Sequence, residues 1–120
     1  MEGYKGLQVY EKSFGLVIRV YECCKKLPKE ETFGISGQMR RAAVSVPLNI
    51  AEGYAKKTYP LEYRRFLVTA RGSCNEMEVL ADLCLALGYI SKEENEKLMM
   101  AYDEVRRMLQ GIINKLTDKT

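Results

Sequence analysis

Apolar side chains recur at alternating steps of three and four residues in three separate stretches of the chain. The recurring positions are Leu7, Tyr10, Phe14, Val17, Tyr21 and Cys24 in the first stretch, Tyr63, Leu67, Ala70, Cys74, Met77, Ala81 and Cys84 in the second, and Leu98, Tyr102, Val105, Leu109, Ile112 and Leu116 in the third. This period predicts a helix that packs nearly parallel or antiparallel to its neighbours. Because no stretch sustains a strict alternation of apolar and polar residues, no β-sheet is predicted.

A fourth helix is predicted between the first and second stretches. Its core face consists of Ile35, Met39, Ala42, Val46 and Ile50. Pro47 lies inside this segment, where it removes a backbone hydrogen bond and crowds the preceding turn. The segment is therefore either two helices separated by a break or one kinked helix. Because the apolar spacing continues past the proline, the pattern favours one kinked helix.

Residues that start or stop helices separate the four segments. Leu27-Pro28 ends the first helix, and Phe33-Gly34 precedes the second. The third helix has Thr58 or Tyr59 as its cap, Pro60 in its first turn and Gly88 at its end. Ser91 and Glu94 form a capping box for the fourth helix. The connections are short, so neighbouring helices should be antiparallel. The sequence thus predicts an all-α fold, an antiparallel up-down-up-down four-helix bundle, in one domain over residues 1–120.

The second helix carries a second apolar arc besides its core face. A helix on the outside of a monomeric bundle needs only one such arc, so the second arc is a candidate subunit interface. The interface residues that we predict are Val44, Leu48, Ala51 and Ala55. The alternative is that these mostly small side chains are exposed or cover the loop after the first helix.

Polar residues with predicted structural roles lie on the second and third helices. They are Asn49, Glu52, Arg71 and Glu76. We expect Asn49 and Glu52 to satisfy backbone groups at the kink, or to pair with Arg41 or Arg71.

The net formal charge is +3, from 19 basic and 16 acidic residues. Residues 35–58 contain four of the basic residues and one acidic residue, so the excess lies in the second helix and its exit. The residues that we predict to contact phosphates of RNA or DNA are Arg40, Arg41, Lys56, Lys57, Arg64 and Arg65. The alternative is a solvated helix surface with ion pairs, although a ring-shaped oligomer would multiply the charge.

The residues needed for common active sites are missing from the chain. There is no histidine, which is the commonest general base and the commonest metal ligand in proteins. Ser45 and Ser73 therefore lack the partner of a hydrolase triad, and the Glu-x-x-His pairs of di-iron bundles are absent. We predict a non-enzymatic protein with no cofactor and no metal.

Composition also bears on the compartment. No apolar stretch approaches the roughly 18 residues that a membrane helix needs. The first residues lack the pattern of a signal peptide. The four cysteines show no CxxC spacing and are expected to be reduced and buried, rather than to form a zinc or redox site. We therefore expect a cytoplasmic protein with no membrane association.

Three segments of the chain are similar to a known family. They read SGQMRRAAVSVPLNIAEGY at 36–54, EYRRFLVTARGSCNEMEVLADLCLALGYI at 62–90 and VRRMLQGIINKL at 105–116. They resemble the four-helix bundle proteins of the 23S rRNA-intervening-sequence family. The positions that match its motif are Arg40, Arg41, Asn49, Glu52, Gly53, Arg71, Ser73 and Glu76. The resemblance implies an antiparallel four-helix bundle.

The resemblance also extends to the accessory variability determinant of diversity-generating retroelements. That relative is a pentameric, positively charged barrel that binds nucleic acid and a reverse transcriptase. It implies a homo-oligomer, a homopentamer, that uses the second arc of the second helix or the flanks of the first. Our first hypothesis is a non-enzymatic oligomeric bundle that binds RNA or DNA backbone. The alternative is a scaffold or adaptor ring that recruits a protein partner and has no role with nucleic acid.

Overall fold

The structure is a computed structural model that describes residues 3–118. Within this range the chain forms four α-helices and two short 3₁₀ turns and contains no strand. The helices are α1 (Gln8–Cys24), α2 (Ile35–Tyr54), α3 (Pro60–Ala86) and α4 (Lys92–Asp118), and the 3₁₀ turns are Tyr4–Gly6 and Lys29–Glu31. The predicted all-α four-helix fold is confirmed. Residues 1, 2, 119 and 120 of the predicted domain lie outside the described residues.

Side-chain bonds between helices show that neighbours run antiparallel. The bonds between α3 and α4 join Arg64 to Thr117, Arg71 to Gln110, Glu78 to Arg106 and Asp82 to Asn95. As the residue numbers rise along α3, those of the partners fall along α4. Two ion pairs, Lys12–Glu104 and Lys26–Glu94, show the same order between α1 and α4. The molecule is accordingly elongated, measuring 45 × 23 × 20 Å.

The ends of the helices follow the predicted capping signals at α3 and α4. Gly88 has a φ of 78°, a left-handed conformation that glycine adopts without strain. Its N–H donates to the Leu85 carbonyl, and the Tyr89 N–H donates to the Cys84 carbonyl. This pair of bonds is a Schellman motif that ends α3. At the start of α4, the Glu94 N–H donates to Ser91 Oγ at 3.1 Å, as the capping box predicts.

Pro47 does not break α2, which continues from Ile35 to Tyr54. A proline inside an isolated helix costs about 3 kcal/mol. Val46 and Ile50, on either side of it, are fully buried in the core. Burying two side chains of this size stabilises by roughly 1.5–3 kcal/mol each, which offsets the cost of the proline. The continuity of the predicted kinked helix is confirmed, and the alternative of two helices separated by a break is wrong.

The predicted core stripe of α3 is confirmed, and that of α4 nearly so. All seven predicted positions of α3, from Tyr63 to Cys84, are buried. In α4 the predicted positions are buried except Ile112, which is half-buried because Ile113 faces the core in its place. The two helices therefore follow the alternating step of three and four residues along most of their length.

The predicted core stripe of α1 is wrong at two of its six positions, whereas Cys24 is buried and Leu7, Tyr10 and Val17 are partly buried against the core. Phe14 and Tyr21, which we expected in the core, are 52% and 42% exposed. The core face of α1 instead consists of Val9, Ser13, Leu16, Val20, Cys23 and Cys24. Ser13 interrupts the apolar pattern of this face, but its Oγ donates to the Tyr10 carbonyl at 3.0 Å, so the hydroxyl is buried without losing a hydrogen bond. The prediction chose the face with Phe14 and Tyr21 because its side chains are larger than those of the true core face.

Among the helices between residues 3 and 118, none combines the length and the apolar character that crossing a bilayer requires.

Gly53 lies in close contact with α3. A Cβ atom added there would lie 2.9 Å from Phe66 Cβ and 3.0 Å from Tyr63 Cδ1. At Gly72, in the middle of α3, an added Cβ would meet nothing within 4 Å. The two glycines therefore differ in packing, although both are inside helices.

We expect Gly53→Ala to lower the free energy of unfolding by about 1–3 kcal/mol, because the new methyl group would push α2 away from α3. The matched control Gly72→Ala should raise it by roughly 0.5–1 kcal/mol, because alanine favours the helix and meets no neighbour. Urea unfolding followed by circular dichroism measures both. Equal effects at the two positions would contradict the close contact at Gly53.

Candidate functional site

Four cationic side chains lie at the corner where α2 ends and α3 begins. They are Lys56, Lys57, Arg64 and Arg65. Between residues 54 and 66 the chain contains a single carboxylate, that of Glu62. Lys56, Lys57 and Arg65 are exposed, and Arg64 is half-buried. We name this group of four cations the α2–α3 corner.

Two of the corner cations are held by neighbours. Arg65 forms an ion pair with Glu62 at 3.2 Å, and the hydrogen bond from Arg65 lowers the pKa of the Glu62 carboxyl. Arg64 Nε donates to Thr117 Oγ1 at 2.9 Å, which fixes its guanidinium against the end of α4. Because Glu62 neutralises Arg65, the excess positive charge of the corner belongs to Lys56, Lys57 and Arg64.

Aromatic rings lie among these cations. Lys57 Nζ is 4.2 Å from the centre of the Tyr54 ring, and Arg65 Cζ is 5.0 Å from that of Phe66. Tyr59, in the turn between the two helices, is 68% exposed. A basic surface with an exposed ring is typical of proteins that bind nucleic-acid backbones and stack on bases. Lysines just after a helix also interact favourably with the helix dipole, so Lys56 and Lys57 also stabilise the end of α2.

Arg40 and Arg41 lie at the other end of α2. They are about 24 Å from Lys56 along the helix axis, at about 1.5 Å per residue. Arg40 Nη2 donates to the Thr32 carbonyl at 2.9 Å, whereas Arg41 is exposed. The structure thus brings together four of the six residues predicted to bind phosphate and places the other two apart from them.

A continuous apolar surface, which we name the α1–α2 face, covers the outer side of these two helices. It forms a groove of about 270 Å³ whose main lining residues are Tyr10, Phe14, Val17 and Ile18 of α1 and Val44, Pro47, Leu48 and Ala51 of α2. Phe14, Ile18 and Leu48 are each more than half exposed. Exposed apolar patches of this kind mark interaction sites in soluble proteins.

Three of the four residues predicted to form a subunit interface line this groove, namely Val44, Leu48 and Ala51. Ala55 is exposed further along α2 and does not line it. The flanks of the first helix were predicted only as an alternative interface, and the residues of α1 were missed because Phe14 was assigned to the core. The sequence signal that could have identified this face is a second set of apolar positions in α1, offset from the true core positions.

A second groove, of about 600 Å³, adjoins the α1–α2 face along the outer side of α2. Val44 and Leu48 line both grooves. The second one also contains Arg40, Arg41, Tyr21, Glu52 and the almost fully exposed ring of Phe33. The α1–α2 face therefore has an edge that carries two arginines and one carboxylate.

Of the polar residues with predicted structural roles, Asn49 bonds a backbone group beside Pro47 as expected, whereas Arg71 contacts α4. The Asn49 amide donates to the Ser45 carbonyl at 2.8 Å, and Ser73 Oγ donates to Ser45 Oγ at 2.8 Å, which joins α2 to α3. Arg71 donates to Gln110 at 2.6 Å. Because Arg71 faces α4, it cannot reach α2 to pair with Asn49 or Glu52.

Glu52 and Glu76, the two carboxylates of that predicted set, are exposed. Glu76 lines a shallow polar groove between α2 and α3 together with Arg41, Ser45 and Ser73. Within residues 3–118, neither carboxylate forms an ion pair in this structure. Both remain available for ligands outside the chain.

The four thiols of the chain lie in the core. Cys23, Cys24, Cys74 and Cys84 are free and buried. Burial raises the pKa of the Cys74 thiol to about 12 and that of Cys84 to about 11, so the reactive thiolate is scarce at neutral pH. In the part of the chain that the structure describes, no three or more His, Cys, Asp or Glu residues are placed to hold a metal ion.

Comparison with known proteins identifies relatives along almost the whole chain. A family model described as 23S rRNA-intervening sequence protein matches residues 5–111. The crystal structure of a protein of unknown function from the S23 ribosomal protein family of Bacteroides thetaiotaomicron is similar, with a TM-score of 0.80 and 27% sequence identity. That similarity covers 88% of this chain and 95% of the other. No curated protein matches the chain.

The raised pKa of the thiols predicts a loss of stability in alkali. In the unfolded chain a cysteine loses its proton near its ordinary pKa of 9.0, whereas Cys74 in the folded chain keeps it up to about 12. The protonated Cys74 thiol therefore stabilises the folded chain fully below pH 9, and this stabilisation is lost as the pH rises towards 12. When the pH is raised from 8 to 10, the free energy of unfolding of Cys74→Ala should fall by about 1 kcal/mol less than that of the unaltered chain. Urea unfolding at both pH values measures this, and identical pH dependences in the two proteins would contradict it.

Proposed function

The chain belongs to the 23S rRNA-intervening sequence protein family, and on that premise we propose that it is a non-catalytic, self-associating bundle that binds the backbone of RNA or DNA. The observation that carries the proposal is the α2–α3 corner. Among residues 3–118, no carboxylate forms an ion pair with Lys56, Lys57 or Arg64 there, and Tyr59 is exposed among them. Phosphate is the ligand that such a surface favours.

The geometry of the corner supports binding to a backbone rather than to a particular sequence. Lysine side chains are flexible point charges, which suit phosphate oxygens and carry no information about base edges. Arg64 is held by Thr117, so it presents a cation in a defined place while the two lysines adapt around it. Each phosphate neutralised releases counterions, and the affinity then depends steeply on salt.

Self-association is the second part of the proposal, and the α1–α2 face supports it. Its apolar residues suit contact with another protein surface, because burying them removes apolar area from water. The resemblance to pentameric relatives favours a homopentamer. A cytoplasmic location fits the four free cysteines, which are typical of a reducing compartment.

The alternative function is a scaffold that binds a protein partner and no nucleic acid. The α1–α2 face favours it, since this surface is apolar and the corner cations lie outside it. The two functions differ in their response to salt. A complex dominated by phosphate contacts weakens steeply as salt rises, whereas an apolar protein contact does not.

We expect the chain to bind duplex DNA and structured RNA, with an affinity that falls roughly 40-fold between about 50 and 200 mM salt if three phosphates are neutralised. Lys56→Glu with Lys57→Glu should abolish most of this binding at the lower salt, because two of the three cations become anions. Fluorescence polarisation measures the affinity, and circular dichroism verifies that the fold is intact.

The matched control is Lys25→Glu with Lys92→Glu, which makes the same change in charge on exposed residues at the opposite end of the bundle. It should retain most of the affinity. Equal losses in both double variants would show that net charge alone acts, with no role for the corner. If the unaltered chain binds neither probe at the lower salt, the scaffold function replaces the proposal.

We expect Leu48→Asp to separate the oligomer into single chains, because a carboxylate would have to be buried in the apolar contact. Since Leu48 is 54% exposed, the fold of the single chain should be unaffected. The control Met100→Asp changes a more exposed apolar residue on α4 and should leave the assembly intact. Light scattering after size-exclusion chromatography measures the mass, and an unchanged mass for Leu48→Asp rules out this face.

A further inference from the structure

A second exposed apolar stripe lies on the last turns of α3 and extends to Leu87, the residue that follows the helix, and neither the core nor the proposed function uses it. Val79, Leu83 and Leu87 follow each other at steps of four residues and are 60%, 44% and 53% exposed. Residues four apart lie above one another on a helix, so the three side chains form a ridge about 12 Å long. We name them the α3 ridge.

The α3 ridge is separate from the α1–α2 face. On one side of α3, Glu78 and Asp82 bond to Arg106 and Asn95 of α4. On the other side, Ser73 bonds to Ser45 of α2. The ridge therefore points outward between these two contacts, and α2 lies between it and α1. The chain thus carries two apolar surfaces that it cannot bring together by itself.

The charges around the two surfaces are opposite in sign. Residues 73–87, which include the ridge, contain the three carboxylates of Glu76, Glu78 and Asp82 and no cation. Glu78 forms an ion pair with Arg106 of α4, so the negative charge beside the ridge belongs mainly to Glu76 and Asp82. Residues 35–51, the part of α2 that forms the α1–α2 face, contain two arginines and no carboxylate. Those arginines line the groove that adjoins the face, where Glu52 is the one carboxylate.

Resting on the self-association in the proposed function, we propose that the α3 ridge of one copy docks on the α1–α2 face of the next copy. This contact is heterologous, since the two copies use different surfaces. It places arginines beside carboxylates, which favours association. If two α1–α2 faces met each other, the arginines of both copies would be brought together, and two α3 ridges would bring carboxylates together.

The shapes of the two surfaces support the same pairing. The α1–α2 face is a groove between two helices, and the α3 ridge is a single row of side chains on one helix. Packing a ridge into a groove is the ordinary way in which helices associate. The groove extends about 10 Å from Val44 to Ala51, close to the length of the ridge. A head-to-tail contact of this kind closes into a ring when its rotation allows.

The test mixes two variants that each destroy one surface. Leu48→Asp removes the α1–α2 face, and Leu83→Asp removes the α3 ridge, so each should be a single chain when alone. In a mixture, the intact face of the Leu83→Asp chain should bind the intact ridge of the Leu48→Asp chain. The expected result is a species of two chains that cannot grow further, detected by sedimentation velocity over a concentration series.

Controls separate this inference from the proposal on which it rests. The double variant Leu48→Asp with Leu83→Asp has neither surface intact, so it should bind neither single variant. Met100→Asp should assemble like the unaltered chain. Val79→Asp, at another position of the ridge, replaces Leu83→Asp if circular dichroism shows that the latter is unfolded.

The outcomes distinguish the two claims. If Leu48→Asp dissociates and the ridge variants assemble normally, the ridge is not the partner, and self-association stands with a different contact. If both variants are single chains and their mixture stays so, the contact is not heterologous and the inference is overturned. If Leu48→Asp keeps the full mass of the oligomer, the α1–α2 face is not the contact and the inference fails, although self-association stands. If the unaltered chain is itself a single chain, the proposed self-association fails and the inference fails with it.

Discussion

The close contact between α2 and α3 at Gly53 determines how the rest of the molecule is arranged. Only a residue without a Cβ atom allows α2 to approach Phe66 and Tyr63 this closely near its end. The approach sets the turn that follows, and the turn brings Lys56 and Lys57 to the beginning of α3, where Arg64 lies. The same packing keeps α2 helical through Pro47, because the core positions on both sides of the proline stay buried.

The sequence predicts the core of α3 and α4 well because each has one strongly apolar register. In α1 two registers compete, and the larger residues Phe14 and Tyr21 belong to the exposed one. Periodicity measures which side chains share a face but does not say which face is inside. That choice depends on Ser13, whose buried hydroxyl bonds to its own helix and so behaves like a small apolar side chain.

The candidate site was predictable in part for a similar reason. Charge along the sequence identifies all four cations of the α2–α3 corner, but it cannot show that Arg40 and Arg41 are a helix length away from them. It also cannot show that Glu62 neutralises Arg65, because this depends on which way both side chains turn at the start of α3. The apolar arc of α2 was visible in the sequence, whereas its partner surface on α1 appeared only after the true core of α1 was known.

The separation of apolar and basic surfaces has a consequence for a ring built from this chain. Association through the α1–α2 face leaves the α2–α3 corner free, since none of its four cations lines the apolar groove. In any cyclic assembly, equivalent groups lie in one plane at one distance from the axis. The corners of all copies then form a single circle of positive charge. A modest excess on one chain becomes a continuous path for a phosphate backbone, and the number of phosphates neutralised grows with the number of copies.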